Sequence, residues 1–154
     1  MKQYNGGMTS MEALRLFAFI GLVSVIILIS LPYLFTKYHS KQIMMAVHER
    51  AQEVTQDPKL RDKEMTMTIE AVSLSKKVGR WDLQQNPAGN GFSILVRPVS
   101  QMICNYILTL PTRADVIHVN GVPYHKGKDK ELCKQADDNV IMFFFGVSER
   151  GKRR

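Results

Sequence analysis

The sequence is short of most groups on which catalysis is built. Its 154 residues include 2 cysteines, 4 histidines and 1 tryptophan. Cys104 and Cys133 are too far apart for a Cys-x-x-Cys redox pair. His39, His48, His118 and His125 fall in no His-Glu-x-x-His or related metal spacing, and there is neither a Gly-x-Ser-x-Gly turn nor a phosphate-binding loop. These absences argue against an enzyme, and no metal or cofactor is expected. Met44, Met45, Met65 and Met67 are read as adaptable apolar filler rather than a soft-metal site. Acids are also scarce, 14 against 21 Lys and Arg, which gives a net charge of +7 and a basic run, ERGKRR. Such a balance attracts phosphate-bearing polymers or anionic lipid. With no aromatics clustered on a basic face, nucleic acid is not an expected partner.

The most informative absence is that of charge over residues 16–35, which are rich in Leu, Ile, Val and Phe. At about 1.5 Å per helical residue this run spans about 30 Å, the thickness of a bilayer core. A secretory signal has a shorter apolar core, about 7 to 15 residues, with a small-x-small cleavage site behind it. Here PYLFTKYHSKQ follows, so the run is expected to stay attached as an anchor. Lys2 and Arg15 precede it while Lys37, Lys41 and Arg50 follow, so the positive-inside rule does not decide orientation. The remainder has room for one small domain with a modest core, which gains from a staple. Cys104 and Cys133 read as one disulfide if that domain is exported, worth about 2 to 4 kcal/mol, or as two reduced thiols if it is cytosolic.

One acid stands at the threshold of the apolar run: Glu12, in YNGGMTSMEALRLFAFIG, five residues after Gly7. An ionised carboxylate in hydrocarbon costs about 2.5 to 3.5 kcal/mol, so an acid there calls for a partner or a task. A polar leader (MKQYNGG), a Gly at the junction, MTSME with the acid fifth, and then an uncharged helix together resemble the class III signal of type IV prepilins. The resemblance implies that a membrane-embedded prepilin peptidase cuts after Gly7 on the cytoplasmic side and methylates the new amino terminus, Met8. Gly7 suits a cleavage site because a residue without Cβ allows close approach to its backbone. The resemblance further implies that Glu12 of one subunit neutralises the Met8 amine of its neighbour and sets their stagger, since paired charges are tolerated where unpaired ones are not. Arg15, three residues on, can also pair with Glu12 on the same helix, and most of the family keeps that segment free of such a charge.

Beyond the anchor, Ile43, Val47, Ala51 and Val54 recur at helical spacing, and Asp57-Pro58 stops the pattern. A helix over residues 8–56 is therefore expected, about 70 Å long at about 1.5 Å per residue, with a kink near Pro32. Residues 59–80 are read as helical behind the Asp57-Pro58 start signal, and RWDLQQNPAGNG as a loop. FSILV and NVIMFFFG read as strands, SQMICNYILTL as a helix opened by Pro98, and DVIHVNGVPY as a hairpin turning at Asn120-Gly121. That makes three or four antiparallel strands. This order, with Cys104 on the helix and Cys133 before the last strand, is similar to the C-terminal region of short type IVb-like pilins, including those of conjugative plasmids.

The resemblance implies an α+β fold in which a long N-terminal transmembrane and stem helix packs on a small antiparallel sheet, with a Cys104–Cys133 disulfide clipping the last loop. It implies a leader over residues 1–7, a helix over 8–56 spanning the membrane at 16–35, and a periplasmic or extracellular domain over 57–154. The expected role is a structural subunit, held in the inner membrane with its N-terminus cytoplasmic, then polymerised on a pilus assembly platform into a homo-oligomeric helical filament outside the cell. A minor pilin, a type II secretion pseudopilin, and an unprocessed membrane-anchored periplasmic binding module are the alternatives.

Overall fold

The computed structural model describes residues 10–73, 76–125 and 132–146. The predicted processing residues, Gly7 and Met8, lie outside them. The chain divides into two compact units, residues 1–35 and 36–154.

The described part of the first unit is helical and belongs to α1 (Ser10–Gln56), which includes Pro32. It is long and apolar enough to cross a membrane, with a mean hydropathy of 2.6 over its most apolar window. Its large side chains face outward: Phe17 is 70% exposed and Ile29 72%. Two hydroxyls in this stretch are satisfied locally, Ser24 donating to the Ile20 carbonyl at 2.8 Å and Ser30 to the Ile26 carbonyl at 2.7 Å. A polar group so bonded can be tolerated in lipid.

The second unit begins within α1. Ile43, Val47, Ala51 and Val54, the stripe read from spacing, are between 0 and 7% exposed, joined by His39, Ser40, Met44 and Arg50. After α1 comes a short 3-10 turn (Pro58–Leu60), with Asp57 Oδ1 accepting from the Lys59 amide at 3.0 Å. The Asp-Pro pair thus starts one turn only. Residues 59–80 are not a helix: β1 (Met65–Ser73) runs antiparallel to β2 (Lys76–Ala88). The period-two alternation of Met65, Met67 and Ile69 outweighs the start signal, and threonines between them favour a strand.

The expected loop RWDLQQNPAGNG is also strand for most of its length. β2 continues through Pro87 and turns at Gly89-Asn90 into β3 (Gly91–Val99). Pro87 lies beyond the last β1 partner pair, Met65 and Gln85, so β2 there has one neighbour only, where a residue without an N–H is tolerated. Gly89 holds φ at +53°, which the first position of a tight hairpin turn can require.

A helix follows, α2 (Gln101–Ile107), shorter than the expected Ser100–Leu110. It is opened by Ser100, whose Oγ accepts from the Ile103 amide, rather than by Pro98. β4 (Val116–Val119) and β5 (Val122–Pro123) form the hairpin at Asn120-Gly121, with φ of 52° and 83°, the two positive values a type I′ turn demands. β6 (Asn139–Phe145) is the last strand.

Among the described residues the strands form one six-stranded antiparallel sheet in the order β1-β2-β3-β6-β4-β5, not three or four strands. Central β6 alternates: Ile141, Phe143 and Phe145 are buried, while Val140, Met142 and Phe144 are half-buried. The buried face joins Ile94 and Val96 of β3 and the buried stripe of α1 in one apolar cluster. The architecture is therefore α+β, a long apolar N-terminal helix whose later part packs on a small antiparallel sheet.

Candidate functional site

Glu12 lies in the first turn of α1 and is exposed. Exposed Met11, Leu14, Leu16 and Phe17 surround it in sequence. A carboxylate in the first turn of a helix lies near the positive end of the helix dipole. The arrangement is thus an apolar helical surface carrying one acid at its start.

Cys104, fully buried on α2, is bonded to Cys133, 5% exposed, with their Cα atoms 5.9 Å apart. Gln101 Nε2 donates to the Cys133 carbonyl at 3.4 Å, and Tyr124 Oη donates to the Leu108 carbonyl at 3.4 Å. The bridge closes a long loop, with a sequence separation of 29. Replacing both cysteines by serine is expected to lower the unfolding free energy by about 3 kcal/mol, chiefly by freeing the unfolded chain. Trp81, the sole tryptophan and 4% exposed, reports the transition by its emission in a urea titration. An unchanged midpoint would show that the bridge is ornamental.

Two polar groupings that sequence reasoning missed hold this unit together. The first fixes α1 to the sheet: Arg50, 7% exposed, donates from Nε to Gln85 Oε1 at 2.8 Å, from Nη1 to Glu53 Oε2 at 2.6 Å, and from Nη2 to Met65 Sδ at 2.9 Å. Gln85, itself buried, passes the link on by donating to the carbonyls of Leu60 and Lys63 at 2.6 and 3.0 Å. The available signal was Arg50 inside the apolar stripe, a cation at a core position that had to find an acceptor. The second centres on Asn139, where β6 starts, and gathers the Asn120 turn, the segment after Cys133 and the end of β3. A lone Asn ahead of a strand carries no pattern that would have disclosed it.

A cleft of about 560 Å³ opens beside the last two turns of α1. Its walls include His48 and Gln52 of α1, Arg61, Arg113, Asp115, and the rings of Phe92 and Phe145, which stack at 5.2 Å. Burial and the Arg113 guanidinium both hold His48 below the usual imidazole pKa. Among the described residues no group of His, Cys, Asp and Glu is placed to hold a metal ion.

The structure thus joins Cys104 to Cys133 and sets Glu12 at the start of the exposed apolar helix. Compared with known proteins, the chain matches no protein-family model, no curated protein and no solved structure.

Proposed function

We propose that this chain is a type IV pilin-like structural subunit rather than an enzyme. Prepilin peptidase would remove residues 1–7 and methylate Met8, and the mature chain would wait in the inner membrane with its N-terminus cytoplasmic. On an assembly platform it would then polymerise into an extracellular filament. The observation that carries this reading is the pairing of Glu12 with an apolar helical surface that finds no cover among the described residues, 0% of its most apolar window being buried. Helix packing between copies would replace lipid on that surface, and the Met8 amine of a neighbour would offset the charge of Glu12. The α+β architecture and the disulfide suit a pilin domain in an oxidising compartment.

Co-expression with a prepilin peptidase tests the first step. Intact mass is expected to fall by residues 1–7 and to rise by one methyl group, and Gly7→Leu is expected to abolish both changes. Glu12→Ala is expected to leave the cut intact and reduce filament yield at least about tenfold, because stranding one buried charge of a pair costs about 3 to 5 kcal/mol. Normal filaments from Glu12→Ala would remove the pairing role. The cleft beside α1 favours a second reading, an anchored binding module whose N-terminus is never processed. An unchanged mass in the presence of active peptidase would support it.

A further inference from the structure

We propose that the cleft bounded by His48, Gln52, Arg61 and Arg113 is an oxyanion-binding site that takes a phosphate or carboxylate group. It does not depend on the filament reading, since a processed or unprocessed chain would carry it alike.

The first argument is charge. Arg61 and Arg113 face the cleft, and Asp115 is the one carboxylate among its lining residues. The two strands at its floor add no charge, contributing Gly91 and Phe92 from β3 and Phe145 from β6. Among the described residues neither arginine is in an ion pair with a carboxylate; the pairs present are Arg50 with Glu53 and Arg80 with Asp82. Two guanidinium groups on one cleft with a single carboxylate leave an excess of positive charge, which a bound anion offsets.

The second argument is hydrogen bonding. Among the described residues the one side-chain hydrogen bond of Arg61 is from Nη1 to the Asn90 carbonyl, a long 3.4 Å, and its Nε is buried with no acceptor. Arg113 makes none among the described residues. His48 Nε2 is likewise buried without a partner. Buried polar groups are nearly always bonded, so two orphans on the wall of one cleft mark a place built to meet something further. As the side chains stand, water does not reach either atom. An incoming oxyanion would draw the imidazole and the guanidinium round to meet it, with the Gln52 amide as a neutral donor.

The third argument is shape. The cleft is larger than a bare anion needs, and the Phe92 and Phe145 rings with Ala51 give it an apolar wall. A ligand of this class would set its charged group between the arginines and an apolar body against the rings, the usual mixture in a small-molecule site. Burial first and the Arg113 guanidinium second hold the His48 pKa down, and a bound anion would offset the second of these.

The test uses the full chain in zwitterionic nanodiscs with nitrogen-15-labelled histidine, titrated with inorganic phosphate and, separately, with acetate. The other three histidines serve as internal controls. The His48 ring signals are expected to move saturably, with an apparent Kd in the millimolar range, and the His48 pKa to rise at saturation. Arg113→Gln and Arg61→Gln are each expected to weaken binding about tenfold, as loss of a charge-assisted contact does, while Asp115→Asn tightens it. Arg113 is exposed, so its variant keeps the fold, checked by Trp81 emission, and decides the matter alone if Arg61→Gln does not fold. Saturation by both anions assigns a general oxyanion site; saturation by one assigns that group. In nanodiscs of anionic lipid, a His48 signal already shifted and no longer responsive to phosphate identifies a headgroup as the source. A response that never saturates, or is the same in Arg113→Gln, overturns the proposal.

Discussion

Asn139→Ala is expected to lower the unfolding free energy by about 3 to 5 kcal/mol, the range reached when a buried network is broken. The side chain is fully buried. Its Oδ1 accepts from Asn120 Nδ2 at 2.9 Å and from the Lys134 amide at 2.7 Å. Its Nδ2 donates to the carbonyls of Val99 at 3.1 Å, Lys134 at 3.1 Å and Ala136 at 2.8 Å. Two amide hydrogens serve three acceptors, so one is shared. Truncation leaves these groups without their partner, and each one that water does not reach, the Val99 carbonyl above all, costs about 1 to 3 kcal/mol, less than additively. Asn139→Asp is no rescue, because it turns the donor that faces three carbonyls into a further acceptor. Urea titration followed by Trp81 emission measures the effect. A loss below about 1 kcal/mol would mean that the knot has slack, against the pattern for buried networks.

Gly91→Val is expected to cost a similar amount, about 3 to 5 kcal/mol, for a steric reason. A Cβ at Gly91 would fall on the carbonyl oxygen of Phe145 and lie 2.8 Å from the Gly146 carbonyl carbon. Both obstacles are backbone, so no side chain can swing aside. Gly91 opens β3 directly after the tight turn, and the next register pair is Phe92 with Phe145. The substitution must therefore push β3 from β6 where the two phenylalanine rings stack. Amide hydrogen exchange along β6 is the direct readout: protection is expected to fall first at Phe143 and Phe145. Unchanged protection would show that the strands have room the backbone geometry denies them.

What could be read from the sequence depended on whether a signal spans a segment or is specific on its own. The α1 stripe repeats at helical spacing, the Asn120-Gly121 pair is a turn signal specific in itself, and the final strand over NVIMFFFG is a continuous apolar run; the structure has all three at the expected places. Where a single strong residue stood against a weaker period, the single residue misled. Asp57-Pro58 starts only one turn, and Pro87 with Gly89 marks the end of a strand rather than a loop. The cysteine pairing was left open by composition and is closed by geometry. The Asn139 knot and the His48 cleft were illegible, because both are assembled from residues far apart in sequence that share no spacing. Gly7 and Met8 remain expectations of the leader pattern.

Among the described residues every member of the apolar core lies at Ile43 or later, and the stretch that would sit in lipid supplies none of it. On the proposed reading, substitutions there would retune how readily the chain leaves the bilayer while leaving the head's own folding balance untouched. Such a division of labour would let selection adjust membrane residence and surface chemistry on separate schedules.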